Sequence, residues 1–531
     1  MTRTTILALG ALNIAIGGCD SGDSQGETDT QANDDAGIPT VIELGPVIPP
    51  DVDTAEQARL TAAGAFPQVQ RLFDELSWQT FVALNWPRDP AGQPMPNLTD
   101  PGTLYWETYS ESYEVFKPDG SPPDPYGQPR TSLPPIGSGD LPIVGADVLQ
   151  HPNHRLLFNL SAVDGLNVLD EVNQAFSSPL WDQYGNLVHY EVLLNEPEYQ
   201  YIVDNTLYNL QGQVAFSATH GGAVFPSGQF GTDRVGAIEL KLAWRILTPA
   251  DAASRYLTSD AFIVVDDPPR WEPVVVGLVG MHISHKTVSS PQWIWSTFEH
   301  VDNLQIDDFA AFGPDGAQHP KIPSFNDPNC EYCPVNVVPE PDASGVRRTQ
   351  VQRVIPIPKA TQAYNAAVQA QLAALGSPIQ YYELINTQWP TDPQAPPAPI
   401  TSFPDNITNK SGGRPTPTFL ISSVMETYFQ GGAAGSEITL QVGDVSATIP
   451  STNGGNTPLE FAEGFCLSVQ DDCGAAGQQL VLSTESCMGC HSSAGIATAG
   501  SGSDPSAYTF GGQLSGDFSW LLQQKAQPRM E

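Results

Sequence analysis

Three residues whose types and spacing could bind a haem lie near the C-terminal end of the chain: Cys487, Cys490 and His491. Two thiols three positions apart on one helical turn can each bond to a vinyl group of one porphyrin, and the adjacent imidazole then lies under the iron. The sequence before Cys487 is typical of a helix start, and small residues follow His491. This context favours haem attachment over a disulfide pair that happens to precede a histidine. The spacing therefore predicts one covalent haem c, with His491 as the proximal iron ligand.

The sixth iron ligand is left open by the sequence. Met425 lies in a stretch with helical character, and Met530 is the only methionine that follows His491. Met425 could equally be an ordinary core residue, and Met530 could belong to a solvated tail. An open or His-ligated iron is the remaining alternative. The choice bears on function, because Met ligation raises the reduction potential and suits electron transfer, whereas an open site permits small-molecule chemistry.

The N-terminal residues predict export. Residues 1–18 combine Arg3 with an apolar run too short to span a bilayer, and two glycines precede Cys19. This pattern is typical of a bacterial lipoprotein signal peptide, with an ordinary cleavage site as the alternative. Residues 19–52 contain few large apolar side chains and predict a flexible tether. We expect a lipid-anchored protein of the bacterial cell envelope that faces the periplasm, on either the inner or the outer membrane.

The cysteine count agrees with export. Of the seven cysteines, one is assigned to lipid and two to haem. The other four allow two disulfides in an oxidising compartment, with pairing of sequence neighbours as the simplest arrangement: Cys330 with Cys333, and Cys466 with Cys473. A zinc site built from all four is the alternative. Because Pro334 stands where a haem motif would have histidine, we expect a single haem.

The net charge of −37, from 59 acidic against 22 basic residues, limits the partners that the chain can bind. Such a polyanion is repelled by phosphate backbones, so nucleic acid is excluded as a partner. The charge could steer a basic redox partner or bind calcium, although solvation explains it more simply. No later segment is apolar over the length of a bilayer, so we expect the lipid to be the only membrane attachment.

A second group of chemically active side chains lies between residues 281 and 303. His282, Glu299 and His300 could form part of a metal or substrate site, and two tryptophans lie among them. On a strand, however, His282 and His285 point to opposite faces and cannot chelate one ion without a bulge. A buried aromatic layer with hydrogen-bonded histidines is the simpler interpretation.

Hydrophobic periodicity predicts the elements that must position these residues. Helices are expected over 55–86, 361–375 and 422–428, and strands over 188–194, 236–245, 274–284 and 381–385. The expected fold class is α+β. Residues 53–410 would form a large β-rich domain with an N-terminal helix and long Pro/Gly loops, and 411–531 a helical, cytochrome c-like haem segment packed on it.

One predicted strand carries charged side chains on a single face. Two-residue spacing puts Glu239, Lys241, Ala243 and Arg245 side by side, where they either line a pocket or contact solvent on an exposed face of the sheet. The solvated face is the simpler interpretation. His220, in a sequence that predicts a turn, is a weaker site candidate.

Seven short sequence segments occur together in the chain: SWQTFVALNWP, WETY, IELKLAWR, PQWIWSTFEHVDN, VMETYFQ, SCMGCH and DFSWLL. They resemble a family of large bacterial envelope proteins described only as cytochrome c family proteins, and the likeness spans most of residues 70–525. The resemblance implies one integrated protein that ends in a haem segment, and it supplies no reaction. The residues that match the general haem motif one by one are Cys487, Cys490 and His491.

Three functions are compatible with these patterns. The first is electron transfer by a lipid-anchored monohaem cytochrome. The second is a haem-dependent oxidoreductase with a substrate site in the large domain, for which His282, Glu299 and His300 are the candidate catalytic residues. The third is a non-catalytic module that binds a small ligand at an open haem. The sequence leaves open whether the protein is an enzyme.

Overall fold

The structure, a computed structural model, describes residues 42–128, 148, 150–151, 153–158, 173–174, 178–265, 270–304, 323–330, 333–353, 357–391, 393, 420–430, 437–442, 445–450, 465–466, 478–479, 487–492, 494–499, 508–511 and 515–529. The predicted signal peptide, Cys19, Cys473 and Met530 lie outside these residues. Of the helices in the described part of the chain, none combines the length and the apolar character that crossing a bilayer requires.

Helices and strands alternate in groups along the described chain. The α-helices are α1 (Thr54–Ala62), α2 (Phe66–Leu84), α3 (Ser112–Val115), α4 (Glu196–Asp204), α5 (Leu210–His220), α6 (Lys359–Ala374), α7 (Cys487–His491) and α8 (Leu521–Gln524). The strands are β1 (Pro87–Arg88), β2 (Thr103–Leu104), β3 (Ser110–Glu111), β4 (Arg155–Leu157), β5 (His189–Leu194), β6 (Ile238–Ile246), β7 (Thr258–Val265), β8 (Arg270–His285), β9 (Ile294–His300), β10 (Tyr382–Gln388), β11 (Glu437–Val442), β12 (Val445–Pro450), β13 (Phe465–Cys466), β14 (Gln478–Gln479), β15 (Ala497–Ala499) and β16 (Thr509–Phe510).

A curled, mainly antiparallel sheet organises the described chain. Its strands lie in the order β10-β9-β8-β6-β5-β3, while β7 pairs with β8 and with β4. β8 is 16 residues long, and its C-terminal half pairs with β6 on one side and β9 on the other. Because successive side chains of a strand point to opposite faces, each of these strands presents one face to the helices and the other to the C-terminal part of the chain.

Helices α2 and α6 cover one face of the sheet. Apolar residues recur at helical spacing along α2, and its Trp78 and Phe81 pack on Phe298 of β9. The rings of Phe81 and Phe298 are stacked with their centroids 4.1 Å apart. Val368 of α6 and Tyr382 of β10 belong to the same buried cluster. This layer fixes the strands that carry the candidate site on their other face.

The opposite face is covered by two stretches that are distant from it in sequence. The first cover, residues 420–430, accepts a hydrogen bond of 2.8 Å from the Tyr190 hydroxyl through one of its carbonyl oxygens. The second cover consists of the described residues between 487 and 529. Its Met488 shares a buried cluster with Trp295 of β9 and with side chains of α4 and α5.

The prediction of an α+β chain is confirmed, and strands occupy the four regions where alternation predicted them. The helix predicted over 55–86 is present as two helices, α1 and α2. Gly64, with a φ of 69°, follows the end of α1, and Pro67 lies in the first turn of α2. Both residues favour a break, because glycine tolerates positive φ and proline cannot donate within a helix.

The helix predicted over 422–428 is wrong. The structure has a turn followed by the 3-10 helix Thr427–Gln430. The hydroxyl of Ser422 accepts hydrogen bonds of 3.2 Å from the amides of Val424 and Met425. Serine side chains that bond to nearby backbone groups compete with helix formation.

The boundary predicted for the flexible tether is also wrong. Ile42, Ile48 and Val52 are buried in the core, so the part of 19–52 that the structure describes is packed against the protein. Apolar residues spaced through a polar segment are enough to fix it when a core is available.

The described residues of 411–531 are short helices and strand pairs. They comprise α7, α8 and the pairs β11–β12, β13–β14 and β15–β16. The helical character predicted for this segment is therefore limited, in these residues, to two α-helices of five and four residues and the 3-10 helix Thr427–Gln430.

We predict that Phe298→Ala lowers the free energy of unfolding by about 3–5 kcal/mol, because it leaves a cavity between the sheet and α2. Urea denaturation followed by far-ultraviolet circular dichroism measures the change. The matched control is Val224→Ala, at a side chain that is 68% exposed. A loss below about 1 kcal/mol for Phe298→Ala would contradict the packing described for this layer.

Candidate functional site

The CxxCH residues form α7, which lies against β10. The Met488 amide donates a hydrogen bond of 2.8 Å to Gln388 Oε1, and the Met488 side chain is fully buried. Cys487 and Cys490 are half-buried, and no disulfide joins them. Burial raises the pKa of the Cys487 thiol well above its ordinary value. Two reduced thiols therefore lie on one short helix, at the spacing that a porphyrin requires.

His491 has one ring nitrogen fixed by the protein. Its Nδ1 donates a hydrogen bond of 2.8 Å to the Phe518 carbonyl oxygen, and because that oxygen only accepts, Nδ1 carries the hydrogen. The ring contacts Trp295, with centroids 4.4 Å apart. Burial lowers the pKa of His491 to about 4, although the bond to Phe518 opposes this shift. The imidazole is thus neutral near pH 7 with its lone pair on Nε2, the form that binds a metal.

The carbonyl that orients His491 lies in a strained turn. Asp517 and Phe518 have φ values of 50° and 70°, which cost free energy for residues other than glycine. The Asp517 carboxylate holds the turn, because it accepts bonds of 2.6 Å from the Phe225 amide and from Lys286 Nζ. Burial raises the pKa of Asp517 to about 6, with Lys286 acting in the opposite direction. Residues far apart in sequence therefore determine where this carbonyl points.

Cross-strand pairing places Lys241, His282 and Thr297 in one row of the sheet, which we call the central row. On one side of this row, Trp295 is buried under the second cover. On the other side, Gly280 is buried under the first cover. Lys241 and His282 keep partial exposure. The central row therefore lies on the part of the sheet face that is between the two covers.

His282 connects the central row to the first cover. Its Nδ1 lies 2.8 Å from Thr297 Oγ1, and its Nε2 lies 2.9 Å from Glu426 Oε1. The other carboxylate oxygen of Glu426 accepts a hydrogen bond of 2.8 Å from the Ser422 amide. Both ring nitrogens of His282 are thus oriented by polar groups.

The pair of His282 and Glu426 acts electrostatically on the CxxCH residues. Burial opposes ionisation of Glu426, but His282 and Lys241 more than offset it, so the pKa of Glu426 is lowered. The charges of His282, Lys241 and Glu426 all influence the pKa of His491, and Glu426 also influences Cys487. The fold therefore brings together one of the three predicted catalytic candidates, His282, and the predicted iron ligand.

Glu299, the second catalytic candidate, is a structural residue. It is fully buried, and its Oε1 accepts bonds of 2.9 Å from Ser422 Oγ and 2.7 Å from the Ser423 amide. Its Oε2 forms an ion pair of 2.8 Å with Arg353. With its oxygens engaged in this way, Glu299 fixes the first cover to the sheet.

His300, the third candidate, points to the opposite face from Glu299. Its ring is stacked on Tyr256 with centroids 4.0 Å apart. Nε2 donates to the Arg255 carbonyl at 3.0 Å, and Nδ1 accepts from the Asp302 amide at 3.1 Å. Burial lowers the pKa of His300 to about 4. Its contacts are those of a neutral core histidine, so grouping it with His282 was wrong.

The remaining histidine candidates lie away from this site. His285 points to the opposite face of β8 from His282, as the strand prediction required, and burial lowers its pKa to about 3. His220 is the last residue of α5 and stacks on Phe216 with centroids 4.2 Å apart. α5 ends at His220, and the chain bends at Gly221, which has a φ of 80°, so the turn predicted here begins one residue after His220.

Met425 lies in the core of the first cover. Its side chain is fully buried in a cluster with Tyr190 and Val279, and its methyl group lies so close to Gly280 that a Cβ there would approach it to 2.8 Å. This cluster is separate from the one that contains Met488. The residue of the first cover that approaches the central row is the next one, Glu426.

Cys330 and Cys333 are joined by a disulfide, with 5.5 Å between their Cα atoms. Sulfurs in a disulfide are not thiolates, so this pair does not offer the ligands of the zinc alternative. Cys466 is described only through its backbone, and Cys473 lies outside the described residues. Within the part of the chain that the structure describes, no group of three or more His, Cys, Asp or Glu residues could hold a metal ion.

The charged face of β6 is covered, so the prediction of a solvated face was wrong. Ala243 and Arg245 are buried, and Arg245 forms ion pairs of 2.8 Å with Asp182 and 2.7 Å with Asp251. The first cover buries Ala243, and segments around Asp182 and Asp251 bury Arg245, so alternation along one strand could not reveal this burial.

Two neighbouring carboxyl groups lie beneath the second cover. Glu239 accepts a hydrogen bond of 2.8 Å from Ser519 Oγ, and the fully buried Glu198 of α4 lies within electrostatic reach of it. Burial and the neighbouring Glu239 raise the pKa of Glu198 well above its ordinary value. Burial also raises the pKa of Glu239 to about 7, although the bond from Ser519 opposes the shift. The pair therefore retains a proton near neutral pH.

Two residues of the site were missed by sequence reasoning. Glu426 is the neighbour of Met425, the residue that the sequence offers as a possible iron ligand. Phe518 contributes only its backbone carbonyl, for which a side-chain pattern gives no signal. The strings METY and DFSW, which contain these residues, were part of the resemblance but carried no assigned role.

The residues present fit a covalent haem. Two reduced thiols and a neutral histidine with its Nδ1 fixed by a carbonyl form the expected donor set, and a fixed second nitrogen is how proteins orient a metal-binding imidazole. No protein family, curated protein or solved structure matches the chain. The arrangement of the site residues is therefore the observation that bears on function.

We predict that Glu239→Gln stabilises the protein at alkaline pH. The pKa of Glu239 is about 7 in the folded state against an ordinary 4.5. The folded state therefore binds more protons than the unfolded state between these values, and stability falls as pH rises through this window. Glutamine keeps the hydrogen-bonding shape without the charge.

Urea denaturation at pH 5 and pH 8 measures this effect. Relative to wild type, the variant should gain about 2 kcal/mol more at pH 8 than at pH 5. The control is Glu43→Gln, at an exposed carboxyl. Parallel pH profiles for wild type and Glu239→Gln would show that Glu239 ionises normally.

Proposed function

We propose that the chain is a lipid-anchored monohaem c-type cytochrome that transfers electrons in the bacterial cell envelope. The haem would be bound through Cys487 and Cys490, with His491 as the proximal ligand. When bound, it would supply a one-electron carrier. Residues 411–531 would then be a haem segment packed on the large domain, and Cys19 would carry the lipid.

The observation that carries this proposal is the hydrogen bond from His491 Nδ1 to the Phe518 carbonyl. It leaves Nε2 as the nitrogen with a lone pair, beside two thiols that form no disulfide. A histidine kept only for packing would need neither the strained turn nor the adjacent CxxC spacing. The three features together support a haem ligand set.

Contacts of the second cover support a role for the rest of the chain in haem binding. Gln388 holds the start of α7, and Trp295 packs against the ring of His491. Together with the bond to Phe518, these contacts hold α7 and the His491 ring in position. The net charge of −37 favours a basic redox partner, whereas calcium binding has no support beyond that charge.

We predict that the protein gives a c-type pyridine haemochrome after expression with haem-attachment machinery, and that the haem remains bound on a denaturing gel. The double variant Cys487→Ser/Cys490→Ser should lose covalent haem, because no thioether can form. His491→Ala should keep the thiols but lose the proximal ligand and attach less haem.

The chain offers a matched control in its other CxxC pair. Cys330→Ser/Cys333→Ser removes a disulfide rather than haem-binding thiols and should leave the haemochrome intact. A wild-type protein that folds but yields no covalent haem would contradict the proposed function. Equal haem loss in both double variants would indicate a folding defect instead of a specific role for Cys487 and Cys490.

A second candidate function, a haem-dependent oxidoreductase, is favoured by the pair of His282 and Glu426. Both side chains are partly exposed, at 16% and 23%, and both lie within electrostatic reach of His491. A histidine and a carboxylate beside an open haem could transfer protons to and from a substrate.

Carbon monoxide distinguishes the two candidates. A reduced protein with two axial ligands should keep its absorption spectrum under carbon monoxide, which would favour electron transfer. A spectral shift in the reduced wild-type protein would indicate an open iron and would favour the oxidoreductase.

A further inference from the structure

We propose that His282 is the sixth ligand of the haem iron, bound through Nε2 and oriented by Thr297. This inference rests on the proposed function, because it requires the haem. It assigns a ligand that the CxxCH spacing cannot supply, from a strand that lies some two hundred residues earlier in the chain. It also gives the large domain a direct part in haem binding.

The register of the sheet brings His282 close to His491. Trp295 contacts the His491 ring, and Thr297 lies two residues further along the same face of β9. Thr297 pairs directly with His282, so His282 and Trp295 are diagonal neighbours, with Cα atoms about 7–8 Å apart.

The hydrogen bonds of His282 suit a metal ligand. Thr297 Oγ1 lies 2.8 Å from Nδ1. Nε2 points towards the first cover, where it lies 2.9 Å from Glu426 Oε1. For iron to bind at Nε2, the proton on that atom would move to Nδ1, which would then donate to Thr297 Oγ1, and the bond from Nε2 to Glu426 would be lost. Glu426 would keep its bond from the Ser422 amide.

Other side chains near the central row are less suitable. Met425 is fully buried against Gly280, and its thioether would have to leave a packed cluster to reach the central row. Lys241 lies over the Tyr190 ring, with Nζ 5.2 Å from the centroid, and an ammonium group must lose a proton before it can bind iron. His282 needs the exchange of one hydrogen bond and the movement of one proton between its ring nitrogens.

Spectroscopy of the full-length, haem-loaded protein tests this assignment. The ferric wild-type protein should show the low-spin electron paramagnetic resonance signal of two histidine ligands, without the near-infrared band of methionine ligation. His282→Ala should become high-spin, and its reduced form should bind carbon monoxide at least tenfold more tightly than wild type. If His282→Ala does not fold, His282→Gln replaces it in the same measurements.

A gain-of-ligand variant provides an independent measurement. His282→Met should remain low-spin, acquire the near-infrared band and raise the reduction potential, because methionine stabilises the ferrous state relative to histidine. Met425→Leu and Lys241→Gln are the matched controls, and both should keep the wild-type signal. Suppose that a control variant loses the low-spin signal and His282→Ala retains it. The sixth ligand would then be the residue substituted in that control, and the proposal would be overturned.

The outcomes separate this inference from the proposed function. A high-spin wild-type protein, or an unchanged low-spin signal in His282→Ala, would overturn the role of His282. A c-type haemochrome from the same samples would still support haem attachment. Absence of a haemochrome from folded wild-type protein would overturn both.

Discussion

In the antiparallel pairing of β8 with β9, His282 lies beside Thr297, and the next pair along the strands faces the helices. This alternation is the constraint on which the site depends, because a slip of one residue would bury His282 against α2 and expose core side chains instead. The aromatic layer on α2 opposes such a slip. Packing on the face away from the site therefore fixes which side chains the site contains.

The site is completed by two covers rather than by the sheet itself. The first cover is fixed through Glu299, whose buried carboxylate accepts hydrogen bonds from Ser422 and Ser423. The second depends on the positive φ of Asp517 and Phe518, which the buried ion pair with Lys286 supports. Such strain persists only where surrounding contacts over-determine it. Here it aims a carbonyl at the histidine of the CxxCH sequence.

Local sequence predicted the elements well where one physical signal dominated. Alternation identified β5, β6, β8 and β10, and helical spacing identified α2 and α6. Predictions failed where a remote contact decided the outcome. The hydroxyls of Ser422 and Ser423 turned an expected helix into a turn anchored on Glu299, and a buried core captured Ile42, which had been assigned to the tether.

The sequence by itself determined the donor set of the candidate haem site, because Cys487, Cys490 and His491 are neighbours and their spacing is a local property. It could not determine what faces them. That His282 approaches these residues, while His300 enters the core on the other face, follows from strand register and from the two covers. Only tertiary structure brings such groups together, since contacts between residues far apart in sequence leave no local pattern.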